Sequence, residues 1–106
     1  MASAALASDE RRDVPRDEVH YRARAVGGDA RPLSVLIVNL SAQGLMARVE
    51  GERPEGERMR ITLPVVGIVW AEVRWSLGGR IGLELDRPIG MADYYDLLTA
   101  MVQGSR

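Results

Sequence analysis

"VVGIVWAEVRWSLGGRIGLEL", residues 65–85, decides the fold. Before the "LGG" at 77–79, Val69, Ala71, Val73 and Trp75 recur at every second position; after it, Ile81, Leu83 and Leu85 do the same. Period-two alternation marks a strand with one face buried. Two adjacent glycines between such runs mark a hairpin turn. Gly67 permits a bend or bulge near the start of the first strand. This phase makes Trp75 a core residue and sends Trp70, five positions earlier, to the opposite face.

Outward from the hairpin the same period recurs. "VHYRARAV" puts Val19, Tyr21, Ala23 and Ala25 on one face and His20, Arg22 and Arg24 on the other. After the break "GGDARP", "LSVLIVNL" (33–40) is nearly continuously apolar, as suits a strand covered on both faces. "GLMARVE" sets Leu45, Ala47 and Val49 against Met46, Arg48 and Glu50, and "RMRITLP" sets Met59, Ile61 and Leu63 against Arg58, Arg60 and Thr62. The period changes after Pro88. Met91, Tyr94, Tyr95, Leu98, Met101 and Val102 follow helical spacing with one apolar face, Asp93 and Asp96 favour its N-terminal end, and Gly104 is a natural stop. The expected fold is mainly all-β: a six-stranded antiparallel barrel over residues 18–86, with a C-terminal amphipathic helix over 90–103. Residues 1–10 are small and polar without periodicity and read as a disordered tail. Residues 11–17, interrupted by Pro15, read as an extended arm rather than a helix.

Composition removes several function classes. The 106 residues carry 15 acidic and 14 basic side chains and no cysteine. Disulfides, thiolate nucleophiles and cysteine-ligated metals are excluded. His20 is the one histidine; alternating with core residues, it reads as a solvent-facing strand residue rather than a general base. No pair of carboxylates is spaced for acid–base work, and "GGRIG" is not followed by the GK[ST] of a phosphate loop. The chain does not read as an enzyme. No apolar run approaches the roughly 20 residues needed to cross a bilayer, and the first residues lack the pattern of a signal peptide, so the expectation is a cytoplasmic protein without membrane insertion. Near-neutral charge and a missing aromatic platform argue against a barrel that binds single-stranded DNA or RNA.

Two signals remain. All basic residues are arginine, and Arg11, Arg12 and Arg16 cluster on the arm. Guanidinium groups grip phosphate oxygens in bidentate fashion and pair equally well with O6 and N7 of guanine, although a solvated tail would look the same. The second is "NLSAQG", residues 39–44. Its plain reading is a turn. Its sharper reading has Asn39 and Ser41 facing outward while Leu40 points in, with Gly44 letting the backbone approach a flat ligand.

In combination the two stretches resemble the PilZ domain: an RxxxR motif ("RDVPR", Arg12 to Arg16) before the first strand, then [D/N]xSxxG ("NLSAQG"). "VRWSLGGRIGLELDRP" is similar to the last hairpin of that family, and the resemblance spans roughly residues 10–103. It implies a six-stranded barrel that binds the bacterial second messenger cyclic di-GMP and needs no cofactor. Arg12 and Arg16 would contact phosphates and guanine Hoogsteen edges, Asn39 and Ser41 the other base edge, and Gly44 would leave room. The doubled arginine resembles members that take up two intercalated ligand molecules, with Arg11 assisting. Asn39 stands where Asp is common, exchanging an ionised acceptor pair for an amide. The arm at 9–17 would order on binding and signal to a separate protein or through self-association. The competing expectation is an adaptor of the same fold that contacts only protein.

Overall fold

A computed structural model describes residues 16–104. Six strands and one helix follow in order: β1 (Asp17–Val26), β2 (Pro32–Leu40), β3 (Gly44–Arg48), β4 (Arg58–Leu63), β5 (Gly67–Leu77), β6 (Arg80–Leu85) and α1 (Met91–Gly104). All neighbouring pairs are antiparallel, and the strands close into a barrel in the order β1-β2-β3-β6-β5-β4. In that ring β4 stands directly across from β3.

The period-two pattern becomes an inside and an outside. Val35, Ile37, Met59, Ile61, Val73 and Ile81 are fully enclosed, while Arg22, Arg24, Arg58 and Arg60 alternate outward on β1 and β4. Gly78 and Gly79 turn the β5–β6 hairpin with φ of 60° and 81°, the positive angles of a turn whose twist matches the flanking strands. At one end of the barrel, Glu57 accepts hydrogen bonds from the Gly28 amide and Arg53, both at 2.7 Å, and so ties two loops together.

Three sequence expectations are corrected. Trp75 is not a core residue: it is 38% exposed. The β5–β6 register slips between Val73 and Trp75, so Arg74 is an extra residue, and a bulge reverses the phase of everything after it. Both tryptophans therefore lie outside the barrel. On β2 only one face is sealed; Leu36 and Val38 are half-buried, because α1 packs along β1. The helix is also rolled relative to the expected face. Tyr94, Leu97 and Met101, three and four residues apart, form the buried seam, whereas Met91, Tyr95 and Val102 are exposed. The apolar stripe is wider than a curved strand wall can cover, so its far flank is left to solvent.

The β4–β5 connection holds strain. Val65 has φ of 70°, a left-handed conformation unfavourable for a β-branched residue, and the Val66 amide donates to the Pro64 carbonyl at 2.7 Å in a tight turn. Val65 is 57% exposed and contributes little packing. Replacing it by asparagine, which tolerates this conformation, is expected to raise stability by about 1 kcal/mol; a rise in the thermal unfolding midpoint checks it.

Candidate ligand-binding site

The loop between β2 and β3 is built by Ser41. Its amide donates to the Gly44 carbonyl at 2.9 Å. Its hydroxyl donates to the same carbonyl at 3.3 Å and accepts from the amides of Gln43 and Gly44 at 3.2 and 3.1 Å. That uses the hydroxyl's one proton and both lone pairs. Ser41 is accordingly 6% exposed, not outward-facing as the alternation implied, although it still borders the cleft described below. The loop is also pinned from outside: Gln43 and Ala42 carbonyls accept from the amides of Leu85 and Ile89 at 2.9 and 2.8 Å.

Gly44 has a reason that belongs to the fold itself. A Cβ there would sit 2.4 Å from the Leu83 carbonyl oxygen, so any side chain would push β3 away from β6. Gly82 is similar, since its Cβ position lies 2.0 Å from Nε1 of Trp75. The indole covers the glycine across the hairpin, where Trp75 and Gly82 are direct partners.

A second irregularity lies on β2, whose register with β3 slips between Ile37 and Asn39. It keeps Leu40 in the core and leaves Asn39 half-buried on the outer side. The two slips together create one continuous outer row. Asn39 pairs with Met46, Met46 with Gly82, and Gly82 with Trp75. A cleft of about 380 Å³ lies along this row, bordered also by Arg16, Ser41, Gln43, Gly44, Arg74 and Glu84. Among the described residues the Asn39 amide has no hydrogen-bond partner, so its donors and acceptor remain available. Arg74 faces Glu84 at 3.3 Å and Glu72 at 3.8 Å, exposed pairs that hold it only weakly.

Four of the six expected binding residues, Arg16, Asn39, Ser41 and Gly44, thus border one cleft. Arg11 and Arg12 lie outside the described residues. Trp75, Gly82 and Arg74 were not anticipated; the cue was the "RW…GG…G" spacing, which makes sense only once the bulge is known.

The sequence profile of the PilZ domain matches residues 10–104. The chain belongs to the PilZ domain family. The resemblance read from "RDVPR" and "NLSAQG" is therefore correct, and a PilZ domain is a binding domain rather than an enzyme. No curated protein matches the chain significantly. Solved PilZ structures share the fold at low identity. The PilZ domain of CeSA from a cellulose-synthesising bacterium is 12% identical with a TM-score of 0.58, covering 82% of this chain and 94% of its own. The PilZ domain of YcgR from Escherichia coli, solved with c-di-GMP, is 16% identical with a TM-score of 0.60, covering 88% and 90%. The complex of YcgR with c-di-GMP gives 17% identity and a TM-score of 0.59, with 88% of this chain matched but 45% of that one. None of the described helices is long and apolar enough to cross a membrane.

In this PilZ domain the helix is tied to the site by one side chain. The Tyr94 hydroxyl lies 2.5 Å from Oδ2 of Asp17, which follows Arg16, and 3.0 Å from the Leu40 carbonyl, just before Ser41. Its proton is shared between the root of the arm and the root of the loop. Burial, then the hydrogen bond to the Asp17 carboxylate, pushes the phenol's ionisation well above its ordinary 10.0. Above that pH the unfolded phenol loses its proton while the folded one keeps it, so this contribution is complete below pH 10.0 and declines at higher pH. Tyr94→Phe is expected to cost about 1–3 kcal/mol at neutral pH. The variant is also expected to lose part of the alkaline decline, as denaturant titrations at neutral and alkaline pH check.

Proposed function

We propose that this PilZ domain is a cyclic di-GMP receptor whose ligand lies along the outer row from Asn39 to Trp75. The reading rests on one observation: an arginine, an unpartnered amide, an exposed indole face and a rigid glycine-containing loop converge on a single cleft. Each suits a different part of a cyclic guanine dinucleotide. Arg16, with Arg12 and Arg11 of the arm, offers guanidinium forks for phosphates and for O6 and N7. The Asn39 amide addresses the base edge that carries N1–H and N2–H. Trp75 offers a flat surface for stacking. Ser41 and Gly44 serve by fixing the loop and keeping the β3 backbone close to β6, so the floor is formed before the ligand arrives. The YcgR structures with c-di-GMP, on the same fold, support the reading.

The response is ordering of the arm over the cleft, read by a downstream protein. Since the ligand is an intracellular second messenger, the reading places the domain in the cytoplasm.

Calorimetric titration with cyclic di-GMP tests the proposal. Wild type is expected to bind one or two molecules. Arg16→Ala should weaken binding about tenfold through loss of a charge-assisted hydrogen bond. Trp75→Ala should weaken it by between about fivefold and a hundredfold, the range for one stacked base. Asn39→Asp is expected to tighten binding, because an ionised acceptor makes the stronger hydrogen bond. Absence of heat from the wild type, with the fold intact, overturns the reading in favour of a protein-only adaptor; unchanged affinity in both alanine variants would falsify the proposed location.

A further inference from the structure

The wall of the barrel farthest from the cleft has an unusual composition for a solvent-facing sheet. The outer faces of β1, β4 and β5 place Arg24, Thr62 and Ile68 in one row, and Val26, Arg60 and Trp70 in the next. Ile68 is 58% and Trp70 49% exposed. The guanidinium groups of Arg58 and Arg60 each lie 5.9 Å from the Trp70 ring centroid. These cations differ in what they face. Arg58 is paired with Asp86 and approaches Glu72 at 3.9 Å. Arg24 and Arg60 have no acidic partner among the described residues.

We infer that this wall, centred on Arg24, Arg60, Ile68 and Trp70, is a docking surface for an acidic, partly aliphatic polypeptide segment. Tryptophan and arginine are the residues enriched where protein interfaces hold most of their energy. Here the indole is flanked by cations and joined to an exposed isoleucine, so apolar contact and charge are offered side by side. The unneutralised charge is positive although the chain as a whole is −1, and carboxylates are the complement to Arg24 and Arg60. A closed barrel has no free strand edge, so the segment must be held through side chains. Nucleic acid and anionic membranes fit less well. Counting Arg22 on the same face of β1, which among the described residues bonds only the Ser34 hydroxyl, three free cations release few counterions, and Glu72 and Asp86 at the border repel a uniform polyanion. A second copy of this wall would set like charges face to face. The surface is centred on β4, across the ring from β3, and extends onto β1 and β5; none of its four residues borders the cleft, so its occupancy does not depend on the nucleotide reading.

The test uses a short fluorescent peptide alternating glutamate and leucine, and its lysine–leucine counterpart, followed by anisotropy with the full chain. The acidic peptide is expected to bind, the basic one not, and binding should weaken with salt. The double variant Arg24→Glu, Arg60→Glu should lose about tenfold or more in affinity. Trp70→Ala should also weaken binding, while circular dichroism reports the fold in each. Cyclic di-GMP at saturation should leave peptide affinity unchanged, and the charge-reversed variant should retain its nucleotide response. Duplex DNA and vesicles of mixed phosphatidylcholine and phosphatidylglycerol form the other arms. Failure of the acidic peptide to bind, equal binding of both peptides, or an undiminished affinity in the charge-reversed variant overturns the inference. So does Arg24- and Arg60-dependent binding of DNA or vesicles in preference to the acidic peptide.

Discussion

The close approach of β3 to β6 is the constraint on which the rest depends. β3 has only five residues, yet it is hydrogen-bonded on both sides and joins β2 to β6 in the ring. Such a short strand has little side-chain contact of its own to hold its position. It is held instead by backbone proximity: Gly44 brings its chain against the Leu83 carbonyl, and Ser41 fixes the loop from which it emerges. Moving β3 outward would expose Leu45 and Ala47, both in the core, and would break the row from Asn39 to Trp75. Barrel closure and the shape of the cleft are thus set by the same few atoms. This gives the SxxG half of the motif a structural cause that would operate with or without a ligand.

Irregularity does the complementary work. A perfectly alternating barrel would turn Trp75 inward by the phase of Val69, Ala71 and Val73, and would break the outward placement of Asn39. One extra residue on β5 and one on β2 reverse the phase where the outer wall requires it. Glycine at position 82 then accepts the indole that the first slip releases. A bulge leaves residues unpaired in the ladder, and it is tolerated here because the displaced side chain covers a position with no side chain of its own.

What was legible in the sequence follows from this. Strand positions, their order along the chain, the hairpin at Gly78–Gly79 and the terminal helix were readable because each depends on local periodicity or on a glycine-bearing turn. The family could be read from two short motifs because they stand in order, one just before β1 and the other just after β2. Trp75 was misplaced because a bulge carries no composition signal in a single sequence. The helix roll was missed because Leu97 and Leu98 are chemically alike, and only packing against the barrel decides which is enclosed. Ser41 was read as outward-facing when its hydroxyl is bonded within its own loop, a local bond that alternation cannot reveal. Tyr94 was anticipated as apolar bulk, whereas its polar end depends on Asp17, distant in sequence.

That phenol makes α1 more than a lid. By sharing its proton between Asp17 and the Leu40 carbonyl, which are themselves partners across β1 and β2, Tyr94 ties the helix to the start of β1 and to the loop that follows β2. Arg16 stands immediately beyond that fixed point. In the proposed receptor, an arm closing over the cleft would start from a residue already bonded to the helix. The basic wall is centred on β4 but shares β1 with the start of the arm through Arg24, and β5 with the cleft through Ile68 and Trp70; none of these residues borders the cleft itself. Under the two proposals the tasks fall on different faces: the nucleotide on the outer row from Asn39 to Trp75, and the polypeptide segment on the outer faces of β1, β4 and β5, where strand register sets the cations beside the indole. A partner seated on that wall would therefore carry the domain without covering the cleft.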